Sequence, residues 1–158
     1  MARTRLKVKG RRVSGSFVSL PHALLEHSNY AALSARAVKL LIDLYAQYRG
    51  KNNGDLCATL SVMKKRGWNS NDQITKARNE LLQSGWIVQT KQGGLNLGPS
   101  LFAVTFQSID ECGGKLDCSA TRTALAYWKL GYNPELKLPH RNTVQTEPPH
   151  GTVERRKP

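Results

Sequence analysis

The sequence predicts a single α+β domain in which helices precede a β-hairpin. Three observations lead there. Residues 34–48 repeat apolar side chains at helical spacing, residues 59–84 hold two short helical patterns joined by a turn containing glycine, and two strand-like runs flank a glycine-rich loop over 86–106. A chain of 158 residues is long enough for one core with appendages.

Taken in order, residues 1–16 carry Arg3, Arg5, Lys7, Lys9, Arg11 and Arg12 and no acid. So basic a segment, poor in apolar groups, cannot bury enough surface to offset ordering, and it is expected to stay mobile until it meets phosphate. Phe17–Leu20 is a short apolar stretch, and Pro21 opens a brief helix through Glu26, with His22 and His27 on its surface. Ser34 is a good N-cap for the clearest helix, where Ala37, Val38, Leu41, Leu44, Tyr45 and Tyr48 form one stripe over about four turns before Gly50. Lys51–Gly54 reads as a turn, with Asn-Gly supplying positive φ, and Asp55–Cys57 as a minimal strand.

Thr59 caps a short helix that runs through Arg66, with Leu60 and Met63 inward and Lys64, Lys65 and Arg66 in its last turn, where cations suit the helix dipole. Gly67 ends it. Ser70 then caps a second helix, with Gln73 at the capping-box position, that runs to about Ser84. Ile74, Ala77, Leu81 and Leu82 form its inner face, while Asp72, Thr75, Lys76, Asn79 and Gln83 point outward at about 100° per residue. Two short helices joined in this way make a helix-turn-helix pattern. Residues 86–90 and 101–106 read as strands, and the ten residues between them, with three glycines and a proline, suit an exposed wing. The order helix, short strand, helix, turn, helix, strand, wing, strand is that of a winged helix-turn-helix, placed over 17–107. Residues 108–133 read as a loop followed by a helix over 121–130 that packs through Ala124, Leu125 and Trp128, against the core or a second copy. Residues 134–158, with five prolines among polar residues, read as a disordered tail. A faint internal echo joins His140–Val144 to His150–Val153, and chance similarity in a biased segment explains it best.

Charge points to a partner. Twenty-four Lys and Arg against eleven Asp and Glu give +13, and nearly half of that excess sits in the first sixteen residues. A polyanion is the expected partner, with nucleic acid ahead of a membrane surface. No apolar run is long enough to span a bilayer and the N-terminus lacks a signal-peptide core, so a cytoplasmic, nucleoid-associated protein is expected. Cys57, Cys112 and Cys118 match neither a zinc pattern nor a disulfide framework and are read as reduced thiols.

The stretch from about Phe17 to Trp128 resembles helix-turn-helix proteins of bacterial phages, plasmids and integrated elements, including phage replication proteins. Leu33–Leu41, Tyr48–Gly54, Arg66–Ser70, Glu80–Ile87 and Leu101–Thr105 carry the likeness. The resemblance implies a winged helix that binds DNA; it does not imply a replication role, because such domains also serve repressors.

On this reading the second helix enters the major groove of double-stranded DNA. Asn71, Thr75, Lys76 and Asn79 are candidates for base edges: Asn suits adenine, Lys suits guanine or a phosphate, and Thr offers a hydroxyl and a methyl. Asp72 either pairs with a basic neighbour or lies at a cytosine. Lys64, Lys65, Arg66, Ser70, Lys91 and Gln92 are candidates for the backbone, and the six cations of the arm for a minor groove or a nonspecific tether. Trp68 and Trp86 are read as core aromatics beside element boundaries. Asp110, Glu111, Cys112, Asp117 and Cys118 are the densest cluster of reactive types, but no histidine or phosphate-binding glycine loop accompanies them. The expectation is therefore a non-enzymatic protein without metal, cofactor or small-molecule substrate, most simply a transcriptional regulator of a mobile element. A replication or plasmid-maintenance factor and a winged-helix adaptor or inhibitor that binds protein are the alternatives.

Overall fold

The computed structural model describes residues 15–131. The basic arm with Arg3, Arg5, Lys7, Lys9, Arg11 and Arg12, and the proline-rich tail over 134–158, lie outside the described residues. Within them, helices α1 (His22–Leu25), α2 (Ser28–Ala31) and α3 (Ala35–Tyr45) precede strand β1 (Leu56–Cys57); α4 (Leu60–Met63) and α5 (Asn71–Gln83) follow, then β2 (Ile87–Lys91) and β3 (Leu101–Val104). The three strands form an antiparallel sheet in the order β1-β3-β2.

The central strand explains why both faces of the sheet are dry. All four residues of β3 are buried. Phe102 and Val104 face the helices, in a core with Leu40, Leu41, Leu44, Ile74, Ala77, Leu81 and Trp86. Leu101 and Ala103 face the other way and meet Val88, Ile109, Leu116 and Cys118. Residues after β3 thus form a second layer, and a strand covered on both sides reads as a continuous apolar run rather than an alternation. In β2 a bulge between Gln89 and Lys91 interrupts the register. It leaves Thr90 buried, with its hydroxyl donating to the Gly54 carbonyl at 2.6 Å.

Caps set the helix starts. Ser34 Oγ accepts from the Ala37 N–H at 3.1 Å, and Ser70 Oγ from the Gln73 N–H at 3.4 Å. His27, expected on a helix surface, is instead the N-cap of α2: its Nδ1 accepts from the Asn29 N–H at 3.1 Å, and its ring meets Trp128 edge-on. Thr59 sits at the cap of α4, but its hydroxyl contacts Ser61 and Cys57 rather than a helix N–H. The α4 pattern then tightens into a 3-10 turn over Lys64–Arg66, and Gly67 ends it at φ 85°.

Two expected elements differ. Helix α3 stops at Tyr45 instead of reaching Tyr48, because side-chain amides hold the next residues: Gln47 bonds the Cys57 N–H and carbonyl, and Asn52 bonds the Arg49 N–H and the Gln47 carbonyl. The helix over 121–130 is reduced to a 3-10 turn at Tyr127–Lys129. Its residues are held by the core instead, with the Thr121 N–H donating to the Ile109 carbonyl, Thr121 Oγ1 accepting from the Ile109 N–H, and the Ala126 N–H donating to the Thr105 carbonyl. Trp128 is buried and stacks on Trp86, whereas Ala124 is exposed.

Asn53, read as part of a simple turn, is a buried polar hub with no exposed surface. Its Oδ1 accepts from the Val104 N–H at 2.9 Å, and its Nδ2 donates to the carbonyls of Val104, Gln107 and Ser108 at 3.0, 3.2 and 2.9 Å. Its backbone N–H donates to the Asp110 carboxylate at 2.8 Å. The positive φ belongs to Gly54, where a Cβ would lie 2.7 Å from Leu116. Asn53→Ala strands several buried backbone groups at once and is expected to cost about 3–5 kcal/mol in urea unfolding; a loss below about 1 kcal/mol would show that water replaces the amide.

Candidate nucleic-acid interface

Helix α5 is seated by Ile74, Ala77 and Leu81, all buried, so its opposite side is presented outward. Of the four residues expected to read bases, Asn71, Lys76 and Asn79 are exposed and Thr75 is half-buried. Lys76 pairs with Asp72 one turn earlier, Nζ to Oδ2 at 2.9 Å, which gives Asp72 its basic neighbour. Both partners are well exposed, so the pair contributes little to stability and is free to exchange. Sequence reasoning missed Arg78. It is half-buried, and lying three residues after Thr75 and seven after Asn71 it borders the same face. That spacing is visible in the sequence.

A second acid on α5 is withdrawn from the outer face. The Glu80 carboxylate accepts from the Ser34 N–H and from Ser34 Oγ, both at 2.7 Å. It therefore supplies a capping-box contact to α3 from another helix, and fixes the rotation of α5 against α3.

The basic turn before α5 is also anchored. Asp43 on α3 accepts from Trp68 Nε1 at 2.7 Å and from Lys39 Nζ at 2.6 Å, and its other oxygen lies 3.7 Å from the Arg66 guanidinium. Lys39 also donates to the Arg66 carbonyl at 2.8 Å and sits 5.0 Å above the Trp68 ring. Trp68 is thus the core aromatic expected, with its polar edge satisfied. Arg66 is partly committed to Asp43, whereas Lys64 and Lys65 are exposed. Ser70 uses its hydroxyl as the cap of α5.

The loop between β2 and β3 is less suited to phosphate than expected. Lys91 is half-buried at its base. The Gln92 N–H donates to the Asp117 carboxylate at 2.7 Å, and the Gln92 side chain bonds Gln89 and the Gly93 carbonyl. Gln92 therefore holds the loop together, and an acid stands at the neck.

The cluster at 110–118 divides in the same way. Asp110 and Asp117 accept from backbone N–H groups, and Lys115 bonds Asp55 at 2.6 Å, which raises the Lys115 pKa. The cysteines at 57, 112 and 118 are unbridged, and among the described residues no three His, Cys, Asp or Glu gather as metal ligands. No helix among the described residues is long and apolar enough to cross a membrane. Compared with models of protein families, with curated proteins and with solved structures, the chain matches none.

Two outcomes test this geometry. Asp43→Ala leaves the buried Trp68 N–H without an acceptor and is expected to cost about 1–3 kcal/mol in chemical denaturation, while Asp43→Asn retains an acceptor oxygen and costs less. Equal losses would assign the contribution to charge rather than to the indole bond. Burial pushes the Cys112 thiol up, followed by the charges of Asp55 and Asp110, with Lys115 opposing. A raised pKa means less thiolate at neutral pH, so alkylation of Cys112, followed by peptide mass mapping, is expected to be slower than for a free cysteine. Lys115→Ala slows it further; an acceleration would contradict the opposing role of Lys115.

Proposed function

We propose that this chain is a non-enzymatic, sequence-specific double-stranded DNA-binding protein of the winged helix-turn-helix type. Helix α5 lies in the major groove, and the turn over Lys64–Arg66 lies on the backbone. The observation that carries the reading is the state of α5's two acids. Asp72 is neutralised by Lys76 and Glu80 is bound to Ser34, so Asn71, Thr75, Lys76, Arg78 and Asn79 can approach phosphate-lined walls without a bare carboxylate among them. A thirteen-residue helix is about 20 Å long and about 10–12 Å across, dimensions that a major groove about 12 Å wide admits. The strand order β1-β3-β2 and the hairpin that follows α5 support the same fold type.

Asn71 and Asn79 read bases, Lys76 stays beside Asp72 and reaches a guanine or a phosphate with its remaining N–H donors, and Lys64 and Lys65 hold the backbone. Residues 1–16 add phosphate contacts through their six cations. A role in regulating transcription of a bacterial mobile element rests on the resemblance of 17–128 to helix-turn-helix proteins of such elements.

Selection from randomised duplexes with the full chain provides the cognate site. Asn71→Ala with Asn79→Ala is then expected to cost roughly 1–3 kcal/mol for each base no longer read on that site and little on random DNA, with an unchanged melting temperature. An unchanged cognate-to-random ratio would mean that α5 does not read sequence, and would favour a protein-binding adaptor. Lys64→Ala with Lys65→Ala should weaken all duplexes alike and flatten the salt dependence by roughly 0.9 for each phosphate no longer neutralised. A retained slope would show that this turn does not hold the backbone.

A further inference from the structure

The tip of the β2–β3 loop carries two leucines in the open: Leu95 is 92% exposed and Leu97 61%. No charged residue lies from Gln92 to Ser100, so this tip has no cation with which to hold a phosphate. It is nevertheless built. The Gly94 N–H donates to the Gly98 carbonyl and the Leu97 N–H to the Gly94 carbonyl, both at 3.1 Å. Asn96 takes a left-handed φ of 63° between the two leucines. At the neck the Gly93 N–H donates to Ser100 Oγ at 3.0 Å, and a Cβ on Gly93 would collide with the Ser100 nitrogen. The two limbs therefore pass too close for any other residue, and the leucines stand on a narrow, hydrogen-bonded finger.

We propose that Leu95 and Leu97 are a wedge that enters the minor groove of duplex DNA and unstacks a base step beside the segment held by α5. The proposal rests on the DNA-binding reading above and adds to it a second site and a deformation of the DNA. Apolar side chains on a narrow projection are what opening a base step requires, since the wedge replaces stacking rather than pairing with phosphate. Two leucines are far too little surface for a stable protein interface, which buries on the order of 1,200 Å² or more. A chain of net charge +13 also repels its own copy and attracts a polyanion.

The test uses the full chain and its selected duplex, with a fluorescent adenine analogue placed at one position after another and dyes at the two ends. Wild type is expected to raise the analogue's emission at one step outside the α5 site and to bring the ends closer. Leu95→Ala with Leu97→Ala should abolish both signals and weaken binding roughly tenfold, while leaving the melting temperature and the salt slope unchanged, because no cation is removed. Leu97→Phe should retain the emission rise. Steeply salt-dependent binding with no emission change, or with the same change in the alanine variant, overturns the wedge and leaves the DNA-binding reading intact. The absence of salt-dependent duplex binding overturns that reading as well. If wild type sediments as a dimer that the alanine variant dissolves, the tip is a self-association surface and the wedge is overturned.

Discussion

The sheet and the chain that leaves it are tied together at the buried amide of Asn53 and its turn. Its side chain bonds both backbone groups of Val104 at the end of β3 and two carbonyls of the chain that leaves it. Its backbone N–H and carbonyl exchange bonds with Asp110, and the next residue, Gly54, accepts from Thr90 on the bulge of β2. A short side chain at one turn thereby stands in for the ladder that a two-residue β1 is too short to provide. It also aims the chain after β3 back beneath the sheet, where Ile109, Leu116 and Cys118 cover the second face. An apolar residue of similar size could fill the space but would leave those carbonyls buried without donors, a larger penalty than the packing it gained.

Polar contacts of long sequence separation likewise hold α5 in place. Apolar burial through Ile74, Ala77 and Leu81 turns one face of α5 to the core but, being non-directional, leaves its exact rotation loosely set. Glu80 on Ser34 and Asp43 on Trp68 remove that freedom, one near each end of the helix. The face with Asn71, Thr75 and Asn79 is consequently preset rather than arranged on contact, which lowers the ordering cost of any binding at that face.

The parts legible in the sequence are those governed by local rules. Ser34 and Ser70 act as caps, Gly67 ends the α4 turn, Trp68 and Trp86 are buried, and the inner face of α5 follows its 3.6-residue period. What escaped is set by partners far along the chain. Nothing near Asn53 indicates that it meets Val104 fifty-one residues later, and nothing near Thr121–Ala126 indicates that their backbone is claimed by Ile109 and Thr105 rather than by a helix. Gln92 has the look of a surface group suited to phosphate, because its acceptor, Asp117, lies twenty-five residues away. On the candidate face the outward residues are legible from spacing. The engagement of Glu80 is not, since Ser34 caps another helix.

Charge distribution follows from the same contacts. Residues 17–131 hold thirteen cations and eight acids, a modest excess by count. Among these acids Asp43 is engaged with Trp68 and Lys39, Asp55 with Lys115, Asp72 with Lys76, Glu80 with Ser34, Asp110 with Asn53, and Asp117 with Gln92. Glu80, Asp110 and Asp117 are held by neutral N–H or O–H groups, so they act as caps without cancelling a lysine or arginine. Their field is still present, but it is localised at a helix start, a turn and the neck of the β2–β3 loop, while Lys64 and Lys65 stand exposed at the turn into α5. The result is a division of surface by chemistry: cations at the turn, amides, a hydroxyl, Arg78 and the Lys76–Asp72 pair along α5, and uncharged apolar groups at the tip of the β2–β3 loop. On the proposed reading, such a division suits gripping a duplex at several depths, because mere adhesion would be served equally well by lysines at all three places.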